Sequence, residues 1–160
     1  MKRKVHLSIY CKIITAATIG LLIFCLVMAF GNPRDFYILL AISVGVLVSG
    51  AYYCPVSIET RQTGLAVHRL CSGQKLFPYS EIISVDSCYP SPGGLRLCGS
   101  GGFMGYWDYF HDIMIGNYFG YYGDRSQAIL IRLKGGRQYV VSCEESHEMI
   151  KEIEKHIQHL

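Results

Sequence analysis

The sequence predicts a mainly β domain, a small barrel or sandwich of about six or seven short strands plugged by one C-terminal helix, carried behind two transmembrane helices. Three observations predict it. Two long runs near the N-terminus carry no charge, the middle of the chain alternates apolar and polar residues with period 2, and the last segment switches to a helical period.

The first run, Ile13 to Phe30, is IITAATIGLLIFCLVMAF, eighteen residues without a charge. As a helix it extends roughly 27 Å, close to the thickness of a bilayer's hydrocarbon core. Phe36 to Tyr53, FYILLAISVGVLVSGAYY, repeats the pattern over another eighteen residues and ends in tyrosines of the kind that sit at a membrane interface. The connector GNPRD reads as a tight turn between paired helices. The alternative is a cleaved signal peptide, with MKRK as its basic end and Ala16 and Ala17 as small residues, followed by one anchor. Its apolar part is longer than a usual signal core. Gly20, Ala41, Gly45 and Ser49 allow close packing with other membrane helices.

Charge sets the expected orientation. Lys2, Arg3, Lys4 and Lys12 precede the first run, whereas the connector carries only Arg34 beside Asp35. The expectation is a basic cytoplasmic N-terminus over residues 1–12, a hairpin of spans at 13–30 and 36–53, and a cytoplasmic domain over 54–160, in a multi-pass protein of the inner cell membrane. Residues 1–53 hold five Lys or Arg and one acid, and the remainder holds ten against eleven. The basic excess is therefore a membrane-surface signal, and no nucleic-acid partner is expected. The domain's five cysteines, Cys54, Cys71, Cys88, Cys98 and Cys143, are odd in number and irregularly spaced, which suits reduced thiols better than a disulfide framework.

Within the domain, PVSIET (55–60) and LAVHRL (65–70) alternate and form a hairpin across RQTG. SGQK makes a second turn. Tyr79 to Ile83 reads as a short turn running into a strand, PSPGG breaks the chain, and a strand follows around Leu95 to Cys98. QAILIRL and QYVVSC flank KGGR, a strong two-residue hairpin signal. In the last segment Met149, Ile150, Ile153 and Ile157 recur at helical spacing, and Ser142 with Glu145 matches a capping box.

The runs VSIETRQTGLAVHRL, FPYSEIISVDS, RLCGSGGFMGYW and AILIRLKGGRQYVVS, with the closing helix, resemble a bacterial pleckstrin-homology-like (PH-like) domain over about Val56 to His159. The resemblance implies a strongly bent, antiparallel, seven-stranded sheet or partly open barrel capped by the C-terminal helix. Where a basic residue is common after the glycine stretch, this chain has Asp108 and His111.

Chemistry-bearing patterns are sparse. Gly99 to Gly105 lacks the lysine of a Walker loop, and a dinucleotide fingerprint needs glycine at Met104. His68 with Cys71, and His156 with His159, are loose metal candidates without a C-x-x-C pair, so no metal or cofactor is expected. Cys143 and His147 are four apart near a helix start, the arrangement of a thiol nucleophile or redox sensor. Asp108 and Asp112 share a face if helical, and otherwise mark the solvated tip of a loop or hairpin. Phe103 to Tyr122 holds nine aromatic residues in twenty. Phe103, Tyr106, Phe110, Tyr118 and Phe119 are candidates to fill the barrel mouth, and Trp107 and Tyr109 are expected to face outward, toward the membrane interface or a partner.

The expected function is a non-catalytic, membrane-anchored interaction module that binds a membrane-associated protein or itself. Its candidate interaction loop is Gly99, Gly101, Gly102, Phe103, Met104, Gly105, Tyr106, Trp107 and Tyr109. No specific phosphoinositide is expected, because no Lys/Arg cluster accompanies a loop. The competing readings are an accessory subunit of a membrane complex and a thiol-dependent enzyme or sensor using Cys143 and His147.

Overall fold

The computed structural model describes residues 1–158 except 93 and 98. The chain opens with a short strand, β1 (Lys2–Lys4), and two long helices, α1 (Ile9–Met28) and α2 (Pro33–Tyr53). Strands β2 (Pro55–Thr60), β3 (Gly64–Arg69) and β4 (Gln74–Pro78) follow, then β5 (Ile82–Ser87), β6 (Leu95–Arg96), β7 (Ser100–Gly102), β8 (Gly105–Asp112) and β9 (Gly116–Tyr122). β10 (Ala128–Leu133), β11 (Gln138–Ser142) and the helix α3 (Ser146–Gln158) complete the fold.

Both N-terminal helices are long and apolar enough to cross a membrane, with mean hydropathy of 2.3 and 1.8 over their best windows and little surface buried against the rest of the protein. α1 starts four residues before the apolar run, because the Ser8 hydroxyl accepts from the Cys11 N–H at 3.3 Å and caps it. α2 starts at Pro33, whose missing N–H costs nothing in a first turn. Residues 29–32 join the two helices, and Phe30 meets Phe36 edge-on across the connection.

The strands form two sheets rather than the single bent sheet or partly open barrel expected, and neither sheet closes. The smaller has the order β1-β2-β3-β4. The larger runs β5-β10-β11-β9-β8-β6, with β7 pairing β8. The break falls at Pro78, which has no N–H to donate, and a 3-10 turn at Tyr79–Glu81 then sends β5 to pair with β10 instead of β4. β9 and β11 are parallel neighbours, Val140 opposite Gly120, and the remaining pairs are antiparallel. Gly135 and Gly136 have φ of +90° and +78°, the positive values that a tight β10–β11 turn needs.

β1 was not foreseen. It pairs antiparallel with β2, Arg3 opposite Ile58, so the basic N-terminus is an edge strand of the domain and not a free tail. Beyond it, the Val5 N–H donates to Val56 O at 2.8 Å and the Ser8 N–H to Gly123 O at 2.9 Å. Arg3 bridges to Glu148 at 2.8 Å and to Glu145, tying β1 to α3.

One core lies between the sheets and α3, built on Ile58, Leu65, Val67 and Phe77 from the smaller sheet, Val85, Ile129, Ile131 and Val141 from the larger, and Met149 and Ile153 from α3. A second cluster covers the opposite face of the larger sheet, where Tyr106, Phe110, Tyr118, Tyr122, Leu130 and Val140 pack with Cys11 of α1. Burial on both faces explains why AILI in β10 is apolar without alternation. The capping box is not formed. Ser142 ends β11 and its hydroxyl accepts from the Gly123 N–H at 2.9 Å, while α3 begins at Ser146, whose hydroxyl donates to Gln127 Oε1 at 3.1 Å.

Candidate functional site

The glycine-aromatic stretch is a pair of hairpins. β7 and β8 pair Gly102 with Gly105, leaving Phe103 and Met104 as a two-residue tip. β8 then pairs with β9 from Tyr106 opposite Tyr122 to Asp112 opposite Gly116. The many rings are cross-strand pairs on this ladder. Tyr106 stacks on Tyr122 with centroids 4.7 Å apart and Phe110 on Tyr118 at 5.5 Å, while Tyr109 meets Phe119 edge-on at 4.9 Å on the other face.

The β7–β8 tip reaches the domain ends of both long helices. The Met104 N–H donates to Thr15 Oγ1 of α1 at 2.9 Å. Gly50 of α2 leaves room for Phe103, since a Cβ there would lie 2.4 Å from the Phe103 ring and 3.0 Å from the Met104 sulfur. Gly102 lies beside Tyr10 and Ile14 in the same way. Gly102, Phe103 and Met104 therefore adjoin the chain's own helices, Gly105 lies beside Leu7 and Pro55, Gly101 pairs with Tyr106, and Gly99 sits against Asp108 and Trp107.

Trp107 does not face outward. It is 8% exposed, its indole N–H donates to Phe103 O at 3.1 Å, and its ring stacks on Tyr53, the last residue of α2, at 4.9 Å and 11°. Stacking on that tyrosine removes more water than exposure at a loop would, and it fastens the sheet to the helix. Tyr106 is buried as well. Tyr109 alone of the expected outward rings is open, at 56% exposure. Of the five proposed to fill a barrel mouth, Tyr106, Phe110 and Tyr118 cover the sheet, Phe119 packs at the edge of the main core, and Phe103 meets α2.

The other end of the β8–β9 hairpin carries a feature that the sequence reading passed over. Ile113 and Met114 are 95% and 91% exposed at its turn. An apolar IMI trio between two aromatic strands was the available signal. Asp112 builds this turn. It lies on a strand, not a helix, and at 1% exposure it is not solvated. Its carboxylate accepts from the Ser91 N–H at 2.7 Å, Met114 at 2.8 Å and Ile115 at 3.3 Å. Burial opposes the charge, and the three N–H donors outweigh it, so the carboxyl is held below the usual range. The stabilisation is fully present above the ordinary carboxylate pKa of about 4 and is lost as pH falls through the lower folded value. Asp112→Ala removes the acceptor shared by three N–H groups, and a loss of about 2 kcal/mol is expected in urea unfolding followed by Trp107 fluorescence.

The thiol and metal candidates are dispersed. Cys143 is buried in the main core, and burial pushes its thiol up to about 12, opposite to an activated nucleophile, while His147 is exposed. Iodoacetamide at neutral pH is expected to label exposed Cys71 quickly and Cys143 only on unfolding, read by peptide mass mapping. His68 is bonded to Glu59 at 2.8 Å, and that hydrogen bond, with those from Arg61, holds the Glu59 carboxyl below its usual range. His156 Nδ1 bonds to Glu152 O and its ring stacks on Tyr79. Cys98 and His159 lie outside the described residues. Among the described residues no group of three or more His, Cys, Asp or Glu could hold a metal ion.

Comparison with known proteins finds no matching family model, no matching curated protein and no matching solved structure.

Proposed function

We propose that the chain is a membrane-anchored, non-catalytic interaction module, held in the bilayer by α1 and α2 and presenting its β domain to a membrane-associated protein. The observation that carries the proposal is the junction. β1 precedes the first apolar helix and β2 follows the second, and the two strands pair, so a hairpin of two spans returns the chain to the side it left. A cleaved signal peptide would remove β1 and the Arg3 bridges to α3 with it. Lys2, Arg3, Lys4 and Lys12 favour the cytoplasmic side for this end.

The partner surface in this reading is not the glycine tip, which the chain's own helices occupy. It is the open side of the β8–β9 hairpin and the sheet edge beside it, where Tyr109, Ile113, Met114, Leu95 and Leu97 are exposed. A strand-rich domain with a C-terminal helix is the part of the architecture that the PH-like resemblance also implies. The two sheets and the parallel β9–β11 pair depart from what it implies. Two measurements test the proposal. Membrane-impermeant maleimide should reach Cys71 only after the inner membrane is opened, and labelling of intact spheroplasts would overturn the orientation. A photocrosslinking residue at Met114, in the full chain in native membranes, should give a discrete adduct that Lys134 does not. Equal patterns from both positions would overturn the partner surface.

A further inference from the structure

The fold brings three lysines from two separate elements together at one place. A groove of about 610 Å³ is lined by Lys2 and Lys4 of β1, Lys12 in the first turn of α1, and Val5, Leu7 and Val56 beside them. Cys54 and Pro55, which directly follow α2, close its other wall. The groove therefore opens where both apolar helices meet the domain. Arg3 beside the groove is paired with Glu145 and Glu148, and His6 lies against Glu144. Among the described residues no carboxylate forms an ion pair with Lys2, Lys4 or Lys12, and all three are exposed.

We infer that this groove binds the headgroup of an anionic phospholipid. The inference rests on the membrane-anchored reading. With α1 and α2 in the hydrocarbon, residues 12 and 54 stand at the level of the headgroups, so the three ammonium groups meet lipid phosphates without moving the domain. The strand fixes two lysines in register, and the apolar flank from Val5, Leu7 and Val56 suits the glycerol and upper acyl chain. A soluble polyanion would gain the charges and not this flank.

The test uses the full chain in zwitterionic detergent, titrated with short-chain phosphatidylglycerol, short-chain phosphatidylcholine or glycerol phosphate. Binding is read from the thermal midpoint and by native mass spectrometry. Phosphatidylglycerol is expected to raise the midpoint and stay bound, and the other two are not. Lys2→Gln, Lys4→Gln and Lys12→Gln together should weaken that binding roughly a hundredfold, at roughly fivefold per lysine. Lys75→Gln, Lys134→Gln and Lys151→Gln, with the same charge change, should leave it intact. If the triple variant fails to fold, Lys4→Gln and Lys12→Gln singly carry the same expectation of roughly fivefold each. Equal responses to phosphatidylcholine and phosphatidylglycerol, or to glycerol phosphate, overturn the inference, as does unchanged binding by the lysine variants. Extraction by alkaline carbonate separates the two levels. A chain stripped from the membrane removes the anchored function, whereas an anchored chain indifferent to phosphatidylglycerol removes only the headgroup site.

Discussion

Trp107→Ala is expected to destabilise the protein by about 3–5 kcal/mol, and Tyr109→Ala by less than about 1 kcal/mol. The two rings are two residues apart on β8, yet Trp107 is nearly covered and Tyr109 is more than half open. Removing the indole empties the space over the Tyr53 ring and leaves one fewer donor on Phe103 O, which the Ser100 hydroxyl also reaches at 3.0 Å. The cavity sits where the sheet meets the end of α2, so the loss should loosen the domain from the helices as well as lower its stability. Urea unfolding of both variants by circular dichroism checks the difference, since the substitution removes the only tryptophan. Equal small losses would mean that the stacked arrangement contributes nothing. If Tyr109 serves the partner, its alanine variant should keep the fold and lose the crosslink at Met114.

Gly123→Ala is expected to cost about 3 kcal/mol, the upper range for overpacking. A Cβ at this position would lie 2.3 Å from the backbone oxygen of His6 and 3.0 Å from its carbonyl carbon. A side chain could rotate away from such a clash, but a backbone carbonyl cannot. The site is also a junction, because Gly123 O accepts from the Ser8 N–H and the Gly123 N–H donates to the Ser142 hydroxyl. Pushing His6 away therefore strains the lead into α1 and the pairing of β1 with β2. Gly31→Ala, where a Cβ meets nothing within 4 Å, is the control and should be close to neutral. Equal unfolding midpoints for the two variants would show that the N-terminal segment yields at no cost.

Local pattern made the regular parts legible. The charge-free runs located α1 and α2 to within a few residues, because a helix that is apolar on every side has no polar face to interrupt the run. The β2–β3 hairpin and the Gly-Gly turn of β10–β11 were readable because alternation and turn chemistry are local signals. The apolar spacing of Met149 and Ile153 gave α3. Its start was misread, since Ser142 fits a cap by spacing while its hydroxyl is taken by Gly123, a residue that meets it only across the sheet.

Phe103 to Tyr122 shows where pattern ran out. Sequence by itself determined that these residues are crowded with rings, that their glycines lack the features of a phosphate loop, and that two apolar helices stand before the domain. Only the tertiary structure decided which ring faces which way. Trp107 turns inward because Tyr53, more than fifty residues earlier, offers it a flat surface, and Phe103 reaches α2 because Gly50 has no side chain. It also decided that Lys2 and Lys4 form an edge strand near Lys12, since strand pairing joins residues far apart in the chain. Period and composition record which residues avoid water. They do not record which distant surface removes the water, and that choice set both the buried tryptophan and the lysine groove.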